Sequence, residues 1–135
     1  VQLETAIGSG LECFEGAVGL SVSRERFLPV KKTDDLLLVR SNLFSLSNGK
    51  LVRNPQRKSA SLPIIELGDF LQNIENFENG FSVIPDLVNL EELKIKGAVR
   101  FEGAAFLQGK VHLQGLKDEL TLPAGVVIAD ETRQG

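Results

Sequence analysis

The sequence predicts an α/β segment followed by a mainly-β parallel β-helix. Apolar residues near the start keep helical spacing: Leu3, Ile7, Leu11, Phe14 and Val18 recur at intervals of four, four, three and four. Towards the end the period becomes six. Leu93, Val99, Ala105 and Val111 form one register, Ile95, Phe101, Leu107 and Leu113 a second, and Gly97, Gly103, Gly109 and Gly115 a third. Short strands sending alternate side chains inward, with a glycine-containing turn opening each face, give such a repeat. Between the two patterns, residues 50–62 are rich in Arg, Lys, Asn, Pro and Ser and read as an exposed linker.

The elements follow in order. Residues 3–19 read as a helix, although Gly8, Ser9, Gly10 and Gly16 lower its propensity, by about 1 kcal/mol for each interior glycine. Close packing on a sheet would compensate, and no such sheet is encoded nearby. With no Met in the chain and Val1 falling inside a helical pattern, this reads as a piece of a longer polypeptide. Gly19–Val22 suits a short strand and Phe27–Val30 an extended segment held by Pro29. Thr33 is the expected N-cap, with Asp34 and Asp35 facing the positive helix end and the helix running on to Leu46. Leu36–Val39 is apolar all round and is expected to be buried. Asn48-Gly49 is a stop or a tight turn. Pro63–Leu67 reads as a strand. A helix from Asp69 carries Phe70, Ile74, Phe77 and Phe81 on one face and ends at Asn79-Gly80. The six-residue frame breaks at Leu116-Lys117-Asp118-Glu119 and resumes at Leu122 and Ile128, an insertion loop. An antiparallel meander is the alternative to the β-helix.

Composition narrows the function. A chain of 135 residues with 42% apolar content suffices for one ordinary domain. A single cysteine, Cys13, fits a reducing, cytoplasmic setting. No apolar run approaches the roughly 18 residues of a membrane span, so no membrane partner is expected and the chain should be soluble. The net charge of −3 hides a positive stretch: residues 24–58 hold nine bases and three acids. Such an excess attracts anions, unless Lys50, Arg53, Arg57 and Lys58 merely coat a solvated loop. The acidic balance and the lack of Tyr and Trp argue against nucleic acid.

Few residues could carry chemistry. Lys31 and Lys32 stand between an extended Phe-Leu-Pro-Val and a helix start, where backbone N–H groups and the helix dipole favour anions. Spacing alone favours plain surface lysines. Arg24 and Arg26 could clamp a phosphate or pair with Glu25, Asp34 and Asp35. His112 should point outward and has no second His for a metal pair. Cys13 reads as a packing residue. Glu91-Glu92 and Asp118-Glu119 read as solvated turns. There is no P-loop, G-x-G-x-x-G, H-E-x-x-H, EF-hand or CxxC.

Four stretches together resemble a known family: QLETAIGSGLECFEGAVGL, RERFLPVKKTDDLLLVRSNLFSL, VRNPQRKSASLPIIELG and LKIKGAVRFEGAAFLQGKV. In order, they resemble the C-terminal part of the eukaryotic UTP–glucose-1-phosphate uridylyltransferases, also called UDP-glucose pyrophosphorylases. The likeness implies the end of a Rossmann-like nucleotidyltransferase domain over residues 1–48, a linker at 49–58, and a left-handed β-helix over 59–135 with a helical insertion at 69–79. It implies a reaction in which UTP and glucose 1-phosphate give UDP-glucose and pyrophosphate with Mg²⁺. The family's catalytic lysine falls on Lys31, and Phe27 matches a position near sugar and uridine. Ser23 stands where many members have Pro. The family's glycine-rich nucleotide loop, uracil-binding residues and metal ligand have no counterpart here, so these residues alone are expected to be inactive. Two other readings stay open: an oligomerisation or regulatory module working through the β-helix as a homo-oligomer, and a pyrophosphorylase for another sugar 1-phosphate.

Overall fold

The computed structural model describes residues 7–23 and 27–135. It is an α/β structure organised on a parallel sheet. Residues Ile7–Cys13 form a 3₁₀ helix and the chain then turns at Phe14–Gly16. The long helix expected over 3–19 is therefore corrected, with its first residues outside the described part. The cause lies in its composition and surroundings. Glycines weaken the helix, and the described part of its apolar face is uncovered: Leu11, Phe14 and Val18 are exposed. Among the described residues Gly19–Val22 takes no strand partner, which corrects the short strand expected there.

Helix α1 spans Thr33–Arg40, with Lys32 rather than Thr33 in the capping position. Thr33 is the first helical residue, buried, with its Oγ1 unpartnered. The helix stops six residues earlier than expected. Ser41 turns back on it, its Oγ donating to the Leu38 carbonyl at 2.8 Å while its own N–H reaches the same oxygen at 3.3 Å. Of the apolar run, Leu37 is fully buried and Leu36, Leu38 and Val39 only partly so.

Strands β1 (Phe44–Ser47) and β2 (Lys50–Arg53) form an antiparallel hairpin. Asn48 and Gly49 both take positive φ, 50° and 71°, which is the turn that matches strand twist. The expected linker thus begins as a strand. Its remainder is tied down: Arg57 Nη1 donates to the carbonyls of Val88 (2.9 Å) and Leu90 (2.8 Å), and Nε to Ser61 (2.9 Å).

The sheet holds β3 (Ile64–Leu67), β4 (Leu90–Phe101), β5 (Phe106–Leu122), β6 (Val127–Ala129) and β7 (Thr132–Gln134). All pairings within it are parallel, which removes the antiparallel meander. Leu93 lies opposite Val111 and Ile95 opposite Leu113, three six-residue periods further along. All eight apolar residues of the two repeat registers are at most 2% exposed. Glycine occupies the corner: Gly97 (φ 77°) faces Gly115, and a Cβ on Gly97 would overlap the Gly115 carbonyl. Beyond that corner the register shifts, with Val99 opposite Leu120, so Leu116–Glu119 bulge out and stay exposed. Leu122 and Ile128 return to the core.

Two short helices, α2 (Asp69–Gln72) and α3 (Ile74–Gly80), replace the single helix expected from Asp69. Asn73 divides them, its side chain accepting from the N–H groups of Glu75 and Asn76. The break re-aims the apolar face: Leu71, Phe77 and Phe81 are buried, Phe70 and Ile74 exposed. Phe81 stacks on Phe101 at 5.2 Å, fixing the helices to the sheet.

Candidate functional site

The lysine turn is built from a proline-stiffened segment running into α1. Lys31 and Lys32 are exposed. Their backbone N–H groups both donate to Asp35 Oδ2, at 2.9 and 3.0 Å. Lysine cannot accept hydrogen bonds at the capping position, so the acid in the first turn supplies the reciprocal half of a cap. Among the described residues neither lysine ammonium is engaged in an ion pair. Two ammonium groups are therefore presented to solvent on a backbone fixed at the helix start, a suitable arrangement for meeting a phosphate.

Phe27 lies four residues upstream and is 67% exposed. It lines a hollow of about 880 Å³ bordered by Ser23, Phe27 and Leu28 and by the β1–β2 hairpin, whose Leu46, Leu51 and Val52 form the apolar wall. Lys50 and Arg53 also border it. Arg53 is partly committed, with Nη1 donating to the Ala60 carbonyl at 2.7 Å. Lys31 does not line this hollow. The two residues assigned from the resemblance thus share one segment but not one cavity. The hollow gathers two aromatic rings, Phe27 and Phe44, two bases and an apolar wall. Arg24 and Arg26, the other candidate phosphate clamps, lie outside the described residues.

The remaining candidates fall elsewhere. Cys13 is exposed, so its packing role is corrected; the helix face it was to join has no partner here. Glu92 is on β4, not in a solvated turn. It bonds His112 Nε2 across the ladder at 2.8 Å and lies 3.4 Å from Lys94 Nζ. The hydrogen bond with His112 holds its carboxyl below the usual range, against the opposing effect of burial, and Lys94 adds to the lowering. Glu119 pairs with Arg100 at 2.9 Å. Among the described residues no group of three or more His, Cys, Asp or Glu could hold a metal, and no helix is long and apolar enough to cross a membrane.

Sequence reasoning missed three polar residues. For Asp35 the sequence suggests a helix-dipole partner or an ion pair with Arg24 or Arg26, although its place three residues after the cap is the capping-box signal. Asn42, whose Oδ1 accepts from the Leu87 N–H at 3.0 Å, and Arg57 bind backbone groups far along the chain; local pattern carries no sign of either.

Compared with known proteins, residues 1–108 match the model of a nucleotidyltransferase family described as UTP–glucose-1-phosphate uridylyltransferase. The chain belongs to that family. Curated relatives carrying the same description include proteins of Astragalus penduliflorus and Solanum tuberosum, each 44% identical across 100% of this chain. The chain spans 29% of the length of these relatives. Among solved structures, the L281D mutant of UDP-glucose pyrophosphorylase from Leishmania major, in complex with UDP-Glc, superposes with a TM-score of 0.78 at 29% identity. A UDP-glucose phosphorylase from Trypanosoma brucei gives 0.79 at 30% identity. Each comparison covers 99% of this chain, and 29% and 30% of those chains respectively.

Proposed function

We propose that the chain forms part of an enzyme that makes UDP-glucose and pyrophosphate from UTP and glucose 1-phosphate. The observation that carries this reading is the family match running through the lysine turn, which leaves the Lys31 ammonium exposed at a helix start. In this reading residues 1–48 end the catalytic domain, residues 49–58 link it onward, and residues 59–135 form a left-handed β-helix with a helical insertion at 69–79. The parallel registers and the six-residue period support stacked coils; the left hand rests on the family resemblance.

The reaction joins two anions. A phosphate oxygen of the sugar phosphate attacks the α-phosphorus of UTP, and the bond to the departing pyrophosphate breaks. Such chemistry rests on positioning and on offsetting charge. Lys31 supplies a mobile positive charge to the phosphates, and Phe27 offers an aromatic face towards sugar or uridine. In this reading Mg²⁺ and the nucleotide loop are supplied by other parts of the full-length enzyme. The setting proposed is cytoplasmic.

The test uses a full-length enzyme containing this sequence, supplied with UTP, Mg²⁺ and a panel of sugar 1-phosphates. UDP-glucose formation with a clear preference for glucose 1-phosphate is expected. A stronger preference for another sugar phosphate would move the chain to the related pyrophosphorylase reading, and no nucleotide-sugar product at all would remove the enzyme reading. A homo-oligomer joined through the C-terminal strands is the second reading, favoured by the short parallel strands β6 and β7 that end the sheet. Mass in solution across a range of protein concentrations decides it: growth with concentration is expected, and an unchanged monomer mass overturns it.

A further inference from the structure

We propose that Asp35 is a positioning residue for Lys31, and that Asp34 ties the same turn to the parallel sheet. The proposal rests on the reading of Lys31 as the group that meets phosphate. Residues 27–31 belong to no helix or strand. Among the described residues, the backbone of this stretch is held by the Lys31 N–H on Asp35 Oδ2, with the Lys32 N–H on the same oxygen. Lysine carries its charge on a long flexible stem, so its Cα must be fixed if the ammonium is to arrive where charge develops.

The neighbouring acid points the other way. Asp34 Oδ1 accepts from the Leu67 N–H at 2.7 Å and from Gln72 Nε2 at 3.2 Å. Gln72 Nε2 also donates to the Leu67 carbonyl at 2.8 Å, and Leu67 is paired with Ile95 in the ladder. Two successive carboxylates thus form a bracket. One reaches back to the lysine turn and the other forward to the stack of strands. Both are occupied by N–H donors, and the Lys31 ammonium pairs with neither. The charge is held in place yet left free for a ligand.

A double-mutant cycle in the full-length enzyme tests this. Asp35→Ala should lower kcat roughly 10- to 100-fold and change KM by less than about 3-fold, the pattern of a displaced group that acts in the transition state. Amide exchange across residues 27–33 should quicken. Asp35→Asn, which keeps an oxygen acceptor, should recover to within about 5-fold of the parent. In a Lys31→Ala background, Asp35→Ala should cause no further loss. If Asp35→Ala does not fold, Asp35→Ser, whose hydroxyl falls short of both N–H groups, serves in the same cycle. Losses that multiply in the double variant, or an unchanged kcat in the single one, overturn the positioning role alone. Full turnover in Lys31→Ala by itself removes the reading beneath it.

Discussion

The Arg57 guanidinium donates to the carbonyls of Ser61, Val88 and Leu90, with a longer bond of 3.5 Å to Leu87. It closes the segment after β2 onto the entrance of β4. Burial and the nearby Arg53 pull its pKa below the ordinary arginine value, with Glu91 opposing. Its planar fork matches several carbonyls at once, which an ammonium does not. Arg57→Ala should lower stability by about 1–2 kcal/mol in denaturant unfolding, and Arg57→Lys should recover little of it. A basic run gives no hint of this, because the partners lie some thirty residues away in sequence. Glu92 makes a second prediction. Its pKa is depressed in the folded chain, chiefly by His112, so its contribution is present above the ordinary carboxylate range and is lost as pH falls through its folded value. Glu92→Gln should therefore be less stable than the parent at neutral pH, with the gap closing in acid. A gap that persists unchanged at pH 2 would contradict the assignment.

Elements were legible where one pattern spoke without competition. The six-residue period placed Leu93, Val99, Phe101 and Leu107 in the core because three registers coincide over four repeats. The glycine corner follows, and Gly97→Ala, with φ at 77° and no room above Gly115, should cost at least about 2 kcal/mol. The hairpin was hidden by an apolar run that continues a helix equally well. Its signal was present in the alternation Phe44-Ser45-Leu46-Ser47 before Asn48-Gly49. The division between α2 and α3 depends on one cap. Asn73→Ala should cost about 1 kcal/mol, read as a lower unfolding midpoint with unchanged slope.

At the scale of the whole molecule, core and proposed chemistry sit apart. The buried cluster gathers on β3, β4 and β5 with Leu37, Leu71, Phe77 and Phe81. The N-terminal stretch leaves Leu11, Phe14, Val18, Leu20 and Val22 exposed, an apolar surface with no cover among the described residues. Limited proteolysis of the 135-residue chain should remove this stretch first and leave a resistant core starting near residue 30; early cutting within β4 or β5 would contradict the assignment of the core. The same separation explains why the site was only partly readable. Lys31 stood out through local motif and family likeness, whereas Asp34 gained its role from Leu67 and Gln72, which only the fold brings close.

The role proposed for Lys31 is to offset phosphate charge during formation of the nucleotide sugar. Single-turnover rates of the full-length enzyme and its Lys31→Ala variant, both shown to be folded, test it most directly. A loss of roughly 10²–10³ in the chemical step with substrate binding largely retained is expected. A rate within about 3-fold of the parent would contradict it.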